Sequence, residues 1–146
     1  MEGESLTKLS IDVAVNADIW NALPDASDTD WITAQLTPLL SREDIRAGEL
    51  SIALTDDADM AKLNSQYRGK DGPTNVLSFP GDGPLLGDIV LSFETLKREA
   101  AEKNVSFDAH LSHLLIHGFL HLFGYDHQND TEAKEMEDWL KRIGKI

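Results

Sequence analysis

The chain contains no cysteine among its 146 residues. Disulfide bonds and thiolate-bound metal sites are therefore excluded, and any metal ion must be held by His, Asp or Glu. No apolar stretch reaches the ~18 residues of a membrane helix, and the opening residues lack the basic and then apolar order of a signal peptide. The lack of a membrane helix and of a signal peptide predicts a cytoplasmic protein. The length and the 41% hydrophobic content predict a single domain over residues 1–146.

Basic residues are scarce relative to acidic ones. The 13 lysines and arginines are outnumbered by 26 aspartates and glutamates, which gives a formal net charge of −13. This balance argues against a broad basic surface that neutralises many phosphates. Any binding of nucleic acid must occur at a local site, and most of the carboxylates are expected to serve solubility.

Hydrophobic periodicity predicts an α+β fold. Alternating and short apolar runs predict strands over residues 9–15, 50–54, 76–79 and 87–92. Capping residues and sided apolar patterns predict helices over residues 28–40, 57–68, 93–103, 108–123 and 131–143. Pro38 is poorly placed in the first helix, and Arg68 ends the second. We expect a small mixed sheet of about four strands packed with helices, zincin-like, with a metal site at the end of a core helix.

Three histidines at a fixed spacing form the candidate metal site. His117 and His121 are one helical turn apart, so they project from the same helix face and can bind one ion. Gly124 can end the helix in a left-handed conformation and turn the chain back, which brings His127 in as a third ligand. Three imidazoles with a position left for water are typical of catalytic zinc. The alternative is that these histidines pack against, or cap, the end of a buried helix.

The same spacing occurs in metzincin proteases, H-E-x-x-H-x-x-G-x-x-H, with one difference. Gly118 occupies the position of the glutamate that acts as general base. A metallopeptidase is therefore an alternative function, but it would lack its proton acceptor. The site would have to rely on the metal to lower the pKa of water to ~7.

The segment HGFLHLFGYDH, residues 117–127, resembles the HGxLHLxGYDH signature of the YbeY family of bacterial endoribonucleases. Other blocks resemble the family in the same order, namely LNSQYR (63–68), KD (70–71), PTNVLSFP (73–80) and LGDI (86–89). The resemblance covers about residues 50–139. Asn75 differs from the aspartate that the family more often has, so we assign this position no acid-base role.

The resemblance implies one zinc ion per chain, bound by His117, His121 and His127, and a catalytic role for Arg68. It implies a zinc-dependent, single-strand-specific endoribonuclease that acts in maturation of the 3′ end of small-subunit ribosomal RNA, in ribosome biogenesis and in ribosome quality control. A ribosomal protein or an assembly GTPase is the implied partner. A non-catalytic, metal-stabilised ribosome-assembly factor is a further alternative.

Arg68 also has a physical rationale of its own. A guanidinium is permanently charged and its planar fork suits phosphate oxygens, although an arginine can also simply complete a helix terminus. His113 lies on the helix face of His117, where it could shuttle protons or pack within the helix surface. We expect His110 to be solvated, and Asp88 to be structural rather than a metal ligand.

Overall fold

Four strands form one mixed sheet in a computed structural model that describes residues 8–23, 28–125 and 130–142, without the side chains of 130–133 and 136. The strands are β1 (Ser10–Val15), β2 (Glu49–Thr55), β3 (Val76–Pro80) and β4 (Leu85–Ser92). They lie in the order β1-β2-β4-β3, with β1, β2 and β4 parallel and β3 antiparallel to β4. The predicted mixed sheet of about four strands is confirmed.

The two faces of the sheet are covered by different helices. Every second side chain of β2 points to the same face of the sheet. These side chains belong to Leu50, Ile52 and Leu54, and they are buried in the main core. Ala53 points to the opposite face, where Met60 covers it together with side chains from β3 and β4. Successive residues of β2 therefore alternate between the main core on one face and the Met60 cluster on the other, which gives the strand its hydrophobic period of two.

The described part of the chain contains five α-helices in addition to the sheet. They are α1 (Thr29–Leu36), α2 (Asp57–Arg68), α3 (Phe93–Lys103), α4 (Phe107–Leu122) and α5 (Asp130–Arg142). The predicted helix over residues 28–40 is divided, since α1 ends at Leu36 and a 3₁₀ segment, Thr37–Ser41, follows. Pro38 lacks an N–H group and cannot continue the α-helical hydrogen bonds. None of the helices in the described part of the chain has the length and hydropathy needed to cross a membrane.

Helix α4 is the core helix of the fold. It packs on β3, β4, α1 and α3, and Leu111, Leu115 and Phe119 are each 0% exposed. Ser106 caps its first turn by accepting a hydrogen bond from the backbone N–H of Ala109 at 3.1 Å. The helix is apolar on most sides because other elements cover most of its surface.

The N-termini of α2 and α3 are joined through Asp57. Its backbone N–H donates to Glu94 Oε1 at 2.9 Å, and its carboxylate accepts from the backbone N–H and hydroxyl of Thr95 and from the Ser92 hydroxyl. Burial alone would raise the pKa of Asp57, but these hydrogen bonds and the charge of Arg98 outweigh burial and hold the pKa below its usual range.

Replacing Asp57 with asparagine is expected to lower the free energy of unfolding near neutral pH by about 1–3 kcal/mol, because the amide cannot accept the same set of hydrogen bonds. The folded-state pKa of Asp57 is depressed, so the stabilisation is present above the unfolded-state pKa of ~3.9 and is lost as pH falls through the folded-state pKa. Urea unfolding across this range measures the difference between the two proteins.

The difference in the free energy of unfolding between wild type and Asp57→Asn should become smaller at the lowest pH values. Asp12→Asn, which changes an exposed aspartate on β1, serves as the control and should show little effect. A stability difference between wild type and Asp57→Asn that stayed constant at every pH would contradict the assigned role of the carboxylate.

Candidate active site between strand β3 and helix α4

A cavity of about 370 Å³ lies between β3, the C-terminal half of α4 and the end of α2. Its polar lining consists of Arg68, Thr74, Asn75, Ser78, His117 and His121. Val76 and Leu114 contribute apolar surface. The fold thus brings together two of the predicted metal ligands and the predicted catalytic arginine, although these residues come from different helices.

His117 and His121 lie one turn apart on α4 and line the same cavity. His117 is half-buried and His121 is exposed. Imidazole nitrogens are good zinc ligands, and two of them at this spacing can bind one ion while the cavity leaves room for water. The donor chemistry therefore fits the predicted metal.

The chain turns directly after these two histidines. Helix α4 ends at Leu122, and Gly124 has a φ of 89°, which is the left-handed conformation expected of it. The Gly124 N–H donates to the carbonyl oxygen of His121 at 3.0 Å. His127 lies outside the described residues. Within the described part of the chain, no group of three His, Asp or Glu side chains is arranged to hold a metal ion.

Arg68 reaches the cavity from the other side of β3. It is the last residue of α2, which ends because Gly69 takes a left-handed conformation with φ 63°. Arg68 is therefore both a basic residue in the last turn of α2 and part of the cavity lining. It places a permanent positive charge beside the histidines of a protein whose formal net charge is −13.

A partly buried hydrogen-bond network supports the cavity wall at Asn75. The Asn75 amide nitrogen donates to the Glu99 oxygens at 3.0 and 3.3 Å, and its Oδ1 accepts from the backbone N–H of Val76 at 2.7 Å. His110 Nε2 lies 2.8 Å from Glu99 Oε1. Burial would raise the pKa of Glu99, but the hydrogen bonds from His110 and Asn75, with the charges of His110 and Lys103, hold it below its usual range.

This network corrects the expectation for His110 and shows that Glu99 supports the site, which the sequence did not indicate. The expectation that His110 is solvated is wrong, since His110 is 3% exposed and packs against α3, where Glu99 is its partner. The available signal was the spacing of the α4 histidines, which places His110, His113 and His117 on one helix face. The His113 ring packs against that of His117, with centroids 4.0 Å apart. Glu99 had no comparable signal in the sequence.

Gly118 is required by close packing of α4 on the sheet. A Cβ atom at this position would lie 3.1 Å from side-chain atoms of Ile89 and Ser78. The Ser78 hydroxyl also donates to the Gly118 carbonyl oxygen at 2.9 Å. A glutamate at the metzincin position would therefore need these neighbouring side chains to shift by a few tenths of an ångström for its Cβ atom alone. Asp88 is exposed on β4, outside the residues that line the cavity.

Comparisons with known proteins agree with the resemblance of the histidine segment. A family model described as endoribonuclease YbeY matches residues 16–145. The chain is 47% identical over 137 residues to endoribonuclease YbeY of Bradyrhizobium diazoefficiens, covering 86% of this chain and 75% of the relative. It is 45% identical over 152 residues to endoribonuclease YbeY of Rhizobium meliloti, covering 94% and 90%.

A solved structure is also similar over most of its length. The solution structure of TM1509 from Thermotoga maritima matches with a TM-score of 0.61 and 29% sequence identity. The match covers 91% of this chain and 85% of that chain. The arrangement of strands and helices is therefore shared with a distant relative.

Gly118→Glu recreates the metzincin pattern, and we expect it to destabilise the protein by about 1–3 kcal/mol without producing peptidase activity. The reason is that the added side chain meets Ile89 and Ser78 in the packed interface. Thermal unfolding and casein hydrolysis measure the two effects. Gly118→Ala separates the steric effect from that of the carboxylate. A fully stable Gly118→Glu protein with chelator-sensitive casein hydrolysis would contradict this account.

Proposed function

This chain belongs to the YbeY family of endoribonucleases, and we propose that it is a zinc-dependent enzyme that cuts single-stranded ribosomal RNA. The observation that carries the proposal is that Arg68, His117 and His121 line one cavity. Hydrolysis of a phosphodiester needs a group that binds the phosphate and a group that activates water, and these side chains suit the two tasks. We assign one endoribonuclease domain to residues 1–146 and a cytoplasmic location to the protein.

Arg68 is the proposed phosphate-binding residue. Its guanidinium can donate two parallel hydrogen bonds to phosphate oxygens, which fixes the orientation of the scissile group. The same charge stabilises the negative charge that develops on those oxygens in the transition state. Thr74 and Ser78 add hydroxyl groups to the lining.

His117, His121 and His127 are the proposed ligands of one zinc ion per chain. When bound, zinc supplies a Lewis acid that lowers the pKa of water to ~7. The imidazoles must be neutral to bind it, so their nitrogen lone pairs have to be free of protons. The contact between Gly118 and Ser78 fixes the helix that carries His117 and His121, and this preorganises both side chains.

We assign the RNA substrate to the 3′ end of small-subunit ribosomal RNA and the biological role to ribosome biogenesis and ribosome quality control. The charge distribution supports the need for a partner. A protein of net charge −13 repels polyanions at long range, so RNA reaches Arg68 slowly when the protein acts alone, and a partner that delivers RNA to the cavity would raise the rate. A ribosomal protein or an assembly GTPase is the proposed means of delivery.

Purified protein is expected to contain about one zinc equivalent per chain, and alanine at His117, His121 or His127 should sharply lower its retention, since two imidazoles cannot enclose the ion. Mass spectrometry of the metal content after dialysis measures this. Asp88→Ala, on exposed β4 surface, is the control and should retain the metal. Unchanged metal content in the variant that lacks all three histidines would refute the ligand assignment.

The enzymatic proposal is tested by cleavage of labelled single-stranded RNA and of casein, each with and without chelator. We expect chelator-sensitive cleavage of RNA alone. Cleavage of casein would favour a peptidase, and the absence of any turnover by metal-loaded protein would favour a non-catalytic assembly factor.

Arg68→Ala is expected to lower RNA cleavage by about a hundredfold or more while zinc content and melting temperature stay nearly unchanged, because the variant removes a phosphate contact from the end of a helix. Arg68→Lys should rescue only in part, since lysine keeps the charge but loses the planar fork. Cleavage rates, metal content and thermal unfolding are measured on the same preparations.

Two variants serve as controls for this test. Lys62→Ala removes an exposed cation from the same helix and should cleave like wild type. His121→Ala should be inactive, which excludes a contaminating nuclease. Full activity in Arg68→Ala would mean that this arginine only completes the helix terminus.

A further inference from the structure

The exposed Tyr67 and the partly buried Phe79 form an aromatic pair next to residues that line the cavity. Tyr67 immediately precedes Arg68 on α2 and is 59% exposed. Its ring meets that of Phe79 in an edge-to-face contact, with centroids 5.2 Å apart and planes at 68°. Phe79 is itself anchored, because it packs against the apolar cluster formed by Met60, Leu77 and Val90.

Both members of the pair adjoin cavity-lining residues in the chain, since Tyr67 precedes Arg68 and Phe79 lies between Ser78 and Pro80. Ser78 and Pro80 of β3 line the cavity, whereas Phe79 packs on the opposite face of the sheet. Strand β3 is at the edge of the sheet, so among the described residues no further strand separates the two faces there. Tyr67 adjoins Arg68 in the chain and Pro80 is exposed, so a polymer bound at Arg68 can extend across this edge of the sheet toward the ring of Tyr67.

We propose that Tyr67 stacks one unpaired nucleobase of an RNA strand whose phosphate is bound at Arg68. The inference rests on the proposed function and deepens it by naming how the same site recognises its substrate. Aromatic rings stack on any base with little sequence preference. Phe79 holds the Tyr67 ring in place, so little side-chain freedom is lost when a base binds.

This role explains how an acidic protein selects single-stranded RNA. With a net charge of −13, the protein cannot draw its affinity from many phosphate contacts, so an uncharged contact with the base has to contribute. In a duplex both faces of an internal base are already covered by neighbouring bases. Tyr67 can therefore stack only on a base that is unpaired and turned outward.

The first test is cleavage kinetics of a labelled single-stranded oligonucleotide by the full chain and its variants. Tyr67→Ala should raise KM about tenfold with kcat within about twofold, the size expected for loss of one stack. Tyr67→Phe should behave like wild type because the ring is kept, and Tyr67→Leu should resemble Tyr67→Ala. Val105→Ala removes exposed apolar surface in the α3–α4 connection and should have no effect. A Tyr67→Leu protein equal to wild type would overturn the proposal.

The second test moves a single abasic site along the oligonucleotide. In the wild-type protein one position should raise both KM and the dissociation constant, measured by fluorescence anisotropy, about tenfold. In Tyr67→Ala the same position should have no further effect, because the stack is already lost. An abasic effect of equal size in both proteins overturns the proposal.

The two readouts separate this inference from the function on which it rests. Binding that depends on Tyr67 without any cleavage by the wild-type protein would support stacking and refute the endoribonuclease proposal. Cleavage that is independent of Tyr67 would refute stacking alone. Failure of the wild-type protein to bind the oligonucleotide would refute both.

Discussion

The close contact between helix α4 and strand β3 at Gly118 is the constraint on which the site depends. Because residue 118 has no side chain, the helix backbone approaches the sheet closely enough for Ser78 to donate to its carbonyl oxygen. His117 and His121 lie on either side of this contact in the chain, so their positions relative to β3 are set by it. The cavity lies along β3 because this strand is at the edge of the sheet, where no other strand of the described residues covers it.

Much of the fold could be predicted because its signals are local. Asp56 caps α2 through the backbone N–H of Asp59, and Gly69 ends it in the left-handed conformation, as their residue types indicated. The partnership of Glu99 with His110 could not be predicted, because periodicity shows which face of α4 is buried but not which helix buries it. Tyr67 follows the apolar stripe of Met60 and yet is exposed, since the last turn of α2 is less covered than its first.

The candidate site was predictable to a similar degree. Helical spacing alone placed His117 and His121 together, and Gly124 has the conformation assigned to it. The position of Arg68 beside them depends on the path of residues 69–75 around the edge of the sheet, which no local pattern encodes. The role of His127 stays a prediction. The side chain of Asn75, which directly precedes β3, is oriented by the Glu99 carboxylate of helix α3. Only the packed structure shows that contact.

The hydrogen bonds of Asp57 anchor helix α2 at the end opposite Arg68. The helix has 12 residues, with Asp57 first and Arg68 last. At ~1.5 Å per residue it is roughly 18 Å long. A tilt of about 5° at the anchored end would displace the guanidinium by roughly 1.5 Å, and a shift of about 1 Å in a reacting group can lower a rate a hundredfold. The proposed contact of Arg68 with a phosphate would therefore depend on groups at the opposite end of the helix as well as on those that line the cavity.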